Sequence, residues 1–529
     1  MTQPIRVVPP SELPEIQVKA AEVLRMADEA IASLARDDGV FERGGRLVHV
    51  VRIAEPPKYK RGERVKRAIG SPLIRTLQFP SLFERLSSSA KWLKYNATTK
   101  TCNPCAPHEK ACRAVFERGE WGGIRSLVGV TSSPTFRADG TILQRPGFDE
   151  ATGLLYWPNC SYHPVPESPS LDDARDAYRF LCETVRAFPF AEPHHRAAWV
   201  CSVLSILARP AIDGAVPLFI MDANTRGVGK TKLVDAAFRI ALGYGAPCTA
   251  LPEENEEIRK TISSCVLAGD QAILFDNIRR QVGGEALEGA VTATIWKARR
   301  LGSDDQACAP MRIVFFVTAN NAEPTSDLAR RSVRIRLESP LENPENRNDT
   351  FDLVEWIDDK RHHLVTWALT ILRAWHVAGR PRPSKVMGSF EAWSDVIPQA
   401  VHWASGVDPL GARANADVED DEERMQLAAI LACLAVLSAA GPITAKQVIT
   451  ALYGTGDRPD GSTTPDHHPS YAGAREAIES VTRCRNGQTP GSTQLGHYLK
   501  RRKGQIVGGN RIVRGPIVHQ AATWAVQGA

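Results

Sequence analysis

Cysteine is scarce, at 11 in 529 residues. Its scatter excludes a disulfide-stapled scaffold and suits reduced thiols. Long apolar runs are missing too. The most apolar stretch, Leu427–Ala440, is alanine-rich and too short to cross a bilayer, so no membrane partner is expected. Met1–Arg6 lacks the charged-then-apolar opening of a secretory leader, and a cytoplasmic protein is expected. Nor is there an excess of one charge: 65 Lys+Arg stand against 60 Asp+Glu, a formal +5. That balance names no partner, so local clusters must. No repeat at solenoid spacing is present. What remains is an ordinary globular composition, 43% apolar and 24% charged. At about 100–200 residues per domain, the length predicts several domains.

Residues 11–36 read as a helix, with Ile16, Ala20, Val23, Leu24, Ala27, Ile31 and Leu34 as its apolar stripe. Glu42–Arg46 reads as a turn before a strand over Leu47–Ile53, and Ala138–Gly140 as another turn. Pro158, Pro164, Pro166 and Pro169 mark a linker, which sets an expected boundary at 165/166. Two helices are expected over 171–209. Beyond them, buried strands alternate with helices: Val216–Met221, Ala272–Phe275, Ile313–Val317 and Val333–Leu337 are the strands, and Lys230–Leu242, closed by Gly243, is a helix. This alternation predicts a mostly parallel sheet covered on both faces. The acidic run Asp417–Glu423 reads as the N-terminal turn of the helix that follows it.

Asn224-Thr-Arg-Gly-Val-Gly-Lys-Thr231 lies between a buried strand and a helix. Small residues there let backbone N–H groups wrap a polyphosphate. Lys230 can reach its outer phosphates, and the Thr231 hydroxyl can hold Mg²⁺. Asn224, Gly227, Val228, Gly229, Lys230 and Thr231 are therefore the candidate ATP-binding residues. Asn224 departs from the glycine usual at its position, and asparagine tolerates left-handed backbone. Asp276 follows four apolar residues, which puts it at the carboxyl end of the sheet, where it can hold the Mg²⁺ shell. Asn277 cannot act as a base. Glu256 or Glu257 could activate water, although a solvated helix face is the simpler reading of both. Thr318–Asn321 ends the next strand, with Asn320 placed to sense the γ-phosphate or orient water. Arg330 and Arg331 could stabilise phosphoryl-transfer charge in a neighbouring subunit.

Asn224–Thr231, Ala272–Asn277, Thr318–Asn321 and Asp327–Arg331 together resemble the phage- and plasmid-encoded replicative helicases of the AAA+/superfamily 3 type, a primase-helicase family. Ser133–Leu143, Pro146–Asp149 and Gly388–Trp393 support the resemblance, which covers roughly 110–410. It implies an α/β fold: a P-loop AAA+-like parallel-sheet ATPase over 166–385, behind an α+β N-terminal collar or loading domain over 1–165. A helical linker over 386–423 would lead to a winged-helix domain over 424–529. It further implies a homo-oligomer, a hexameric ring that moves along DNA with ATP and Mg²⁺ in the replication of a mobile element. No primase module is recognisable before residue 110. A non-unwinding DNA-binding ATPase and a primase-helicase with an unrecognised primase module are the alternatives.

In such rings a loop between the acidic strand and the asparagine strand reaches the pore, which assigns Lys297, Arg299 and Arg300 to DNA phosphates or, equally, to salt bridges between subunits. Near the C-terminus, residues 471–514 carry nine Lys/Arg and two Glu. Lys500, Arg501, Arg502 and Lys503 close the expected recognition helix Gln494–Arg502, and Gln505–Val507 with Arg511–Val513 make a tight hairpin. A second basic stretch spans Lys58–Arg75. Cys102, Cys105, His108 and Cys112 offer four soft ligands within eleven residues. Structural zinc sites usually split their ligands into separated pairs, so these four stay outside the candidate site.

Overall fold

The computed structural model describes residues 13–54, 68–279, 281–299, 306–341, 344, 351–454, 469–482, 484, 489–518 and 521–528. Contacts divide the chain into two compact units, Met1–Ala412 and Arg413–Ala529. Among the described residues no helix is long and apolar enough to cross a membrane.

The N-terminal residues correct one expectation. Ile16 is buried while its neighbours Glu15 and Gln17 are exposed, a period of two rather than 3.6. Glu15–Val18 accordingly runs as a strand, parallel to Lys91–Asn96, and the helix covers only Val23–Leu34. Leu47–Arg52 sits between Phe41–Glu42 and Pro72–Thr76 in an antiparallel sheet. Most of the basic stretch that precedes Arg75 lies outside the described residues.

The core of the first unit is a five-stranded sheet: β1 (Leu218–Ala223), β2 (Cys248–Thr249), β3 (Ala272–Ile278), β4 (Val314–Ala319) and β5 (Ser332–Leu337). Its order is β2-β3-β4-β1-β5, and every pair is parallel. Every residue of β1 and β4 is buried, as a sheet covered on both faces requires. Phe219 and Phe316 stack across β1 and β4 with centroids 5.5 Å apart, and Phe238 meets Phe316 edge-on at 5.4 Å. Truncating such a phenylalanine to alanine typically costs about 3–5 kcal/mol.

The helix Lys230–Leu242 leaves β1 and stops at Gly243, whose φ of 82° lets its N–H turn back to the Arg239 and Phe238 carbonyls. The helix Pro193–Leu207 is buried from Ala197 to Leu207 on every side, which explains its lack of a polar face. The long helix Leu353–Val377 packs on Leu171–Thr184 and on Lys230–Leu242. Its Arg361 donates to Ser133 and Asn159, both at 2.6 Å, and to the Arg239 carbonyl at 2.8 Å. A guanidinium thus ties the residues before 165 to the sheet helix.

The second unit begins within the helix Gly411–Leu437. That helix starts before Asp417–Glu423, so the acidic run lies inside it rather than in its first turn. Helices Ala445–Tyr453, Pro469–Thr482 and Ser492–Arg501 follow. Four strands form one sheet in the order Ile443–Thr444, Ala521–Gly528, Asn510–Val518, Ile506–Val507. Gly508 and Gly509, with φ of 57° and 75°, make the two-residue turn of the last pair. Leu434, Leu452, Ile478, Leu499 and Trp524 are among the residues that fill its core.

Candidate functional site

A parallel sheet gathers the carboxyl ends of its strands along one edge, and ligands bind there. β1 ends at Ala223, and the loop Asn224–Gly229 carries the chain into the helix that begins at Lys230. Gly227 and Gly229 take φ of 75° and 104°, which side-chain-bearing residues resist. A Cβ on Gly229 would stand 3.0 Å from the Phe188 ring. The loop therefore needs glycine both for its backbone angle and for its packing. Lys230 and Thr231 open the helix, where unpaired N–H groups and the helix dipole favour an anion.

The ends of β3 and β4 supply the partners. The Lys230 ammonium donates to Asn320 Oδ1 at 2.6 Å. Thr231 Oγ1 and Thr318 Oγ1 both donate to Asp276 Oδ1, at 2.8 and 2.6 Å. Thr318 Oγ1 also accepts from the Asn277 N–H at 2.7 Å. Asn277 itself has φ of 56°, at an irregularity between Phe275 and Ile278 in the β3–β4 pairing. This kink gives Asp276 its approach to Thr231. Burial lowers the pKa of Lys230, while Asp222 and Asp276 oppose the shift. The hydroxyl and carboxylate oxygens are hard donors of the kind Mg²⁺ prefers, and the lysine and glycines suit a polyphosphate. These residues fit ATP with Mg²⁺.

Asn224 reaches the site for a reason other than the expected one. It does not adopt left-handed backbone. Its side chain instead donates to the Ser339 carbonyl at 3.0 Å and accepts from the Ser339 N–H at 3.1 Å, which clamps the loop to the exit of β5. Glu257 sits on the first turn of the helix Asn255–Ala268 and pairs with Lys260 at 3.0 Å, while Glu256 is exposed beside it.

One group escaped the sequence reading. Asp222, fully buried on β1, receives Arg334 and Arg336 from β5 and the Ala322 N–H at 2.9 Å. Burial alone would raise its pKa, but the Ala322 N–H and the two arginines outweigh that and hold it low. Arg336 also reaches Asn321 at 3.3 Å. The signal was available: an acid inside an apolar strand, and two arginines alternating on another.

Arg330 and Arg331 lie at the other end of the sheet. Ser332, the first residue of β5, pairs beside Leu218, the first of β1, while Leu337 pairs beside Ala223. A six-residue parallel strand spans roughly 17–20 Å, so neither arginine serves the loop of its own chain. Arg331 is held by Asp327 at 2.8 Å, the Glu288 carbonyl at 3.0 Å and Thr292 at 3.2 Å. Arg330 is 69% exposed and stands 3.5 Å from Asp327.

Lys297 and Arg299 belong to an antiparallel hairpin, Ile295–Arg299 with Gln306–Pro310, and Arg300 lies outside the described residues. Trp296 roots the hairpin through a 2.9 Å bond to Ser263, and the alternating Lys297 is exposed. In the second unit Lys500, Arg501 and Lys503 are exposed, and Arg502 is half-buried with its guanidinium 5.7 Å from the Tyr498 ring. Cys102 is exposed on the strand Thr101–Pro104, whereas Cys112 turns into the core on the helix Glu109–Glu117, where burial pushes its thiol up to about 11. The structure does not gather Cys102, Cys105, His108 and Cys112 into a metal-sized cluster.

No family model and no curated protein matches the chain. Among solved structures, the chain is similar to the A form apo structure of the NrS-1 C terminal region, with a TM-score of 0.38, 12% identity, and coverage of 85% of this chain and 98% of that one. It is also similar to SCCmec type IV Cch, described as an active helicase, at a TM-score of 0.29, 10% identity, and 85% and 95% coverage. JCV Helicase matches at a TM-score of 0.20 and 15% identity, over 44% of this chain and 66% of that one. Scores this low establish neither the fold nor the activity of this chain.

Proposed function

We propose that the chain is an ATP-dependent DNA helicase that acts in the replication of a mobile genetic element. The observation that carries this reading is the convergence of Lys230, Thr231, Asp276, Thr318 and Asn320 where β1, β3 and β4 end. Glycine loop, lysine, hydroxyl, carboxylate and strand-end asparagine are the parts a phosphoryl-transfer site needs, with Lys230 bonded to Asn320 and Thr231 bonded to Asp276. Lys230 would neutralise the outer phosphates. Thr231 and Asp276 would hold Mg²⁺, which when bound would neutralise phosphate charge. Asn320, released from Lys230 by nucleotide, would orient the attacking water.

The remaining parts fit a ring. Arg330, exposed at the far end of the sheet, would reach the loop of a neighbouring copy in a homo-oligomer, and a hexamer is the assembly that the family resemblance suggests. The hairpin bearing Lys297 and Arg299, followed by Arg300, would face DNA phosphates, which carry sequence-independent affinity. The second unit would be a winged helix, with Ser492–Arg501 and the basic residues through Lys503 against DNA.

Strand displacement on a forked DNA tests the reading. The chain should separate the strands with ATP and Mg²⁺, stop with EDTA, and stop when Lys230 is replaced by alanine. DNA-stimulated hydrolysis without displacement would reject the helicase reading in favour of a DNA-binding ATPase switch.

A further inference from the structure

Three imidazoles meet at a place the nucleotide reading does not use. His163 lies between the strand Leu154–Tyr156 and the helix Leu171–Thr184, whereas His362 and His363 lie on the helix Leu353–Val377. One ring nitrogen of each stands within 4.8 Å of the others. The ring centroids are 4.7 Å apart for His163 and His363, 5.2 Å for His163 and His362, and 4.2 Å for His362 and His363.

Consecutive helical residues leave the axis about 100° apart, yet both helix histidines here turn toward His163. The chain around His163 is pinned to deliver that ring. Thr366 Oγ1 donates to the His163 carbonyl at 3.0 Å, Arg361 holds Asn159 at 2.6 Å, and Arg373 holds the Glu167 carbonyl at 2.7 Å. On the helix side, His363 stacks on Trp367 at 5.5 Å, which fixes its plane. Among the described residues no hydrogen bond engages a ring nitrogen of the three. His163 is exposed and the other two are half-buried, so the cluster is open to solvent on one side.

We propose that His163, His362 and His363 bind one divalent transition-metal ion of the zinc type, with water completing its shell. Imidazole nitrogen is a preferred ligand of such borderline ions, and three histidines with an open fourth position make a known coordination pattern. Zn–N bonds of about 2.0–2.1 Å set tetrahedral ligands about 3.4 Å apart, which small side-chain rotations achieve from the observed spacing. Asp359, one turn before the histidines and paired with Lys360 at 2.9 Å, adds negative charge nearby. The bound ion fastens the segment around His163 to the long helix, so its contribution is to stability rather than to chemistry.

The test uses the tag-free full-length chain, stripped of metal, and Co²⁺ as a visible probe. One equivalent of Co²⁺ should bind with d–d absorption, Zn²⁺ should displace it, and the melting temperature should rise. His163→Gln, which alters only an exposed ring, should lower the affinity at least tenfold while leaving the circular dichroism spectrum unchanged. A His362→Ala/His363→Ala double variant should abolish binding. Cys102→Ser/Cys105→Ser should bind like the parent. Absence of stoichiometric binding, binding indifferent to His163→Gln, or loss of binding in the cysteine variant would each overturn the proposal.

Discussion

The two ends of the parallel sheet differ in how their charged side chains are used. At the carboxyl end, Lys230 bonds to Asn320, Thr231 and Thr318 bond to Asp276, and Asp222 locks Arg334 and Arg336. At the amino end, Arg331 is held by Asp327, the Glu288 carbonyl and Thr292, while Arg330, 3.5 Å from the same Asp327, is 69% exposed. One end carries the residues proposed to hold a charged ligand. The other exposes a cation about one strand length from any phosphate its own chain could bind. The difference is what motivates the proposal that an arginine at the amino end serves the loop of a second copy.

The largest expected effect would break the comparison outright. Lys230→Ala should reduce ATP hydrolysis below detection in a chain that still folds, since the half-buried ammonium bonds to Asn320 at the strand ends and does not fill the apolar core. Near-normal turnover would mean that the carboxyl end is not the phosphate site.

Next come the two arginines. Arg330→Ala should cost ~10³–10⁵ in hydrolysis, the range of an arginine acting in trans, with little loss of melting temperature, since its ion pair with Asp327 is solvent-exposed. Arg331→Ala should instead lower the melting temperature, because it removes an ion pair and bonds to Glu288 and Thr292. If the two variants behave alike, the distinction drawn between them fails.

A smaller effect concerns Asn224. Asn224→Gly restores the residue usual at that place but deletes two bonds to Ser339, each worth about 0.5–1.5 kcal/mol. Thermal melting should show a loss of a few degrees while hydrolysis stays within several-fold. A gain in stability would show that the clamp strains the loop.

The last effect, of similar size, is on pH. His195 is buried on the helix Pro193–Leu207, its Nδ1 3.2 Å from the Arg334 carbonyl. Burial first, then the neighbouring His194, push its pKa down to about 4, from 6.5 unfolded. The unfolded chain therefore takes up a proton that the native chain refuses. Stability from this group is intact above pH 6.5 and falls by about 1.4 kcal/mol per pH unit down to about 4. Denaturant midpoints at pH 7 and 5, compared with those of His195→Asn, should show a steeper loss in the parent.

Much of the sheet was legible because buried parallel strands are continuous apolar runs. β3, β4 and β5 lie within a residue or a few of their expected bounds, and the helix Lys230–Leu242 has its expected ends. β2 was not legible: two residues pairing with one neighbour carry no periodicity. Ile16 misled because one apolar residue fits a helix stripe and a strand equally until its neighbours' burial is known. The glycine loop Asn224–Gly229 between strand and helix could be read locally, but the partners of its side chains could not. Thr318 on Asp276 and Ser339 on Asn224 join residues 42 and 115 positions apart. In the second unit, Ala521–Gly528 escaped because its buried Thr523 and Trp524 sit among small residues without a clear alternation.

The most direct test of the split site mixes two inactive variants. Lys230→Ala keeps the exposed Arg330 but not a working loop, and Arg330→Ala keeps the loop but not the arginine. Combined at equal concentration, they should recover a measurable fraction of ATP hydrolysis, through interfaces that pair an intact loop with an intact arginine, and dilution should abolish it. No recovery on mixing, with a parent chain fully active as a monomer, would contradict the account.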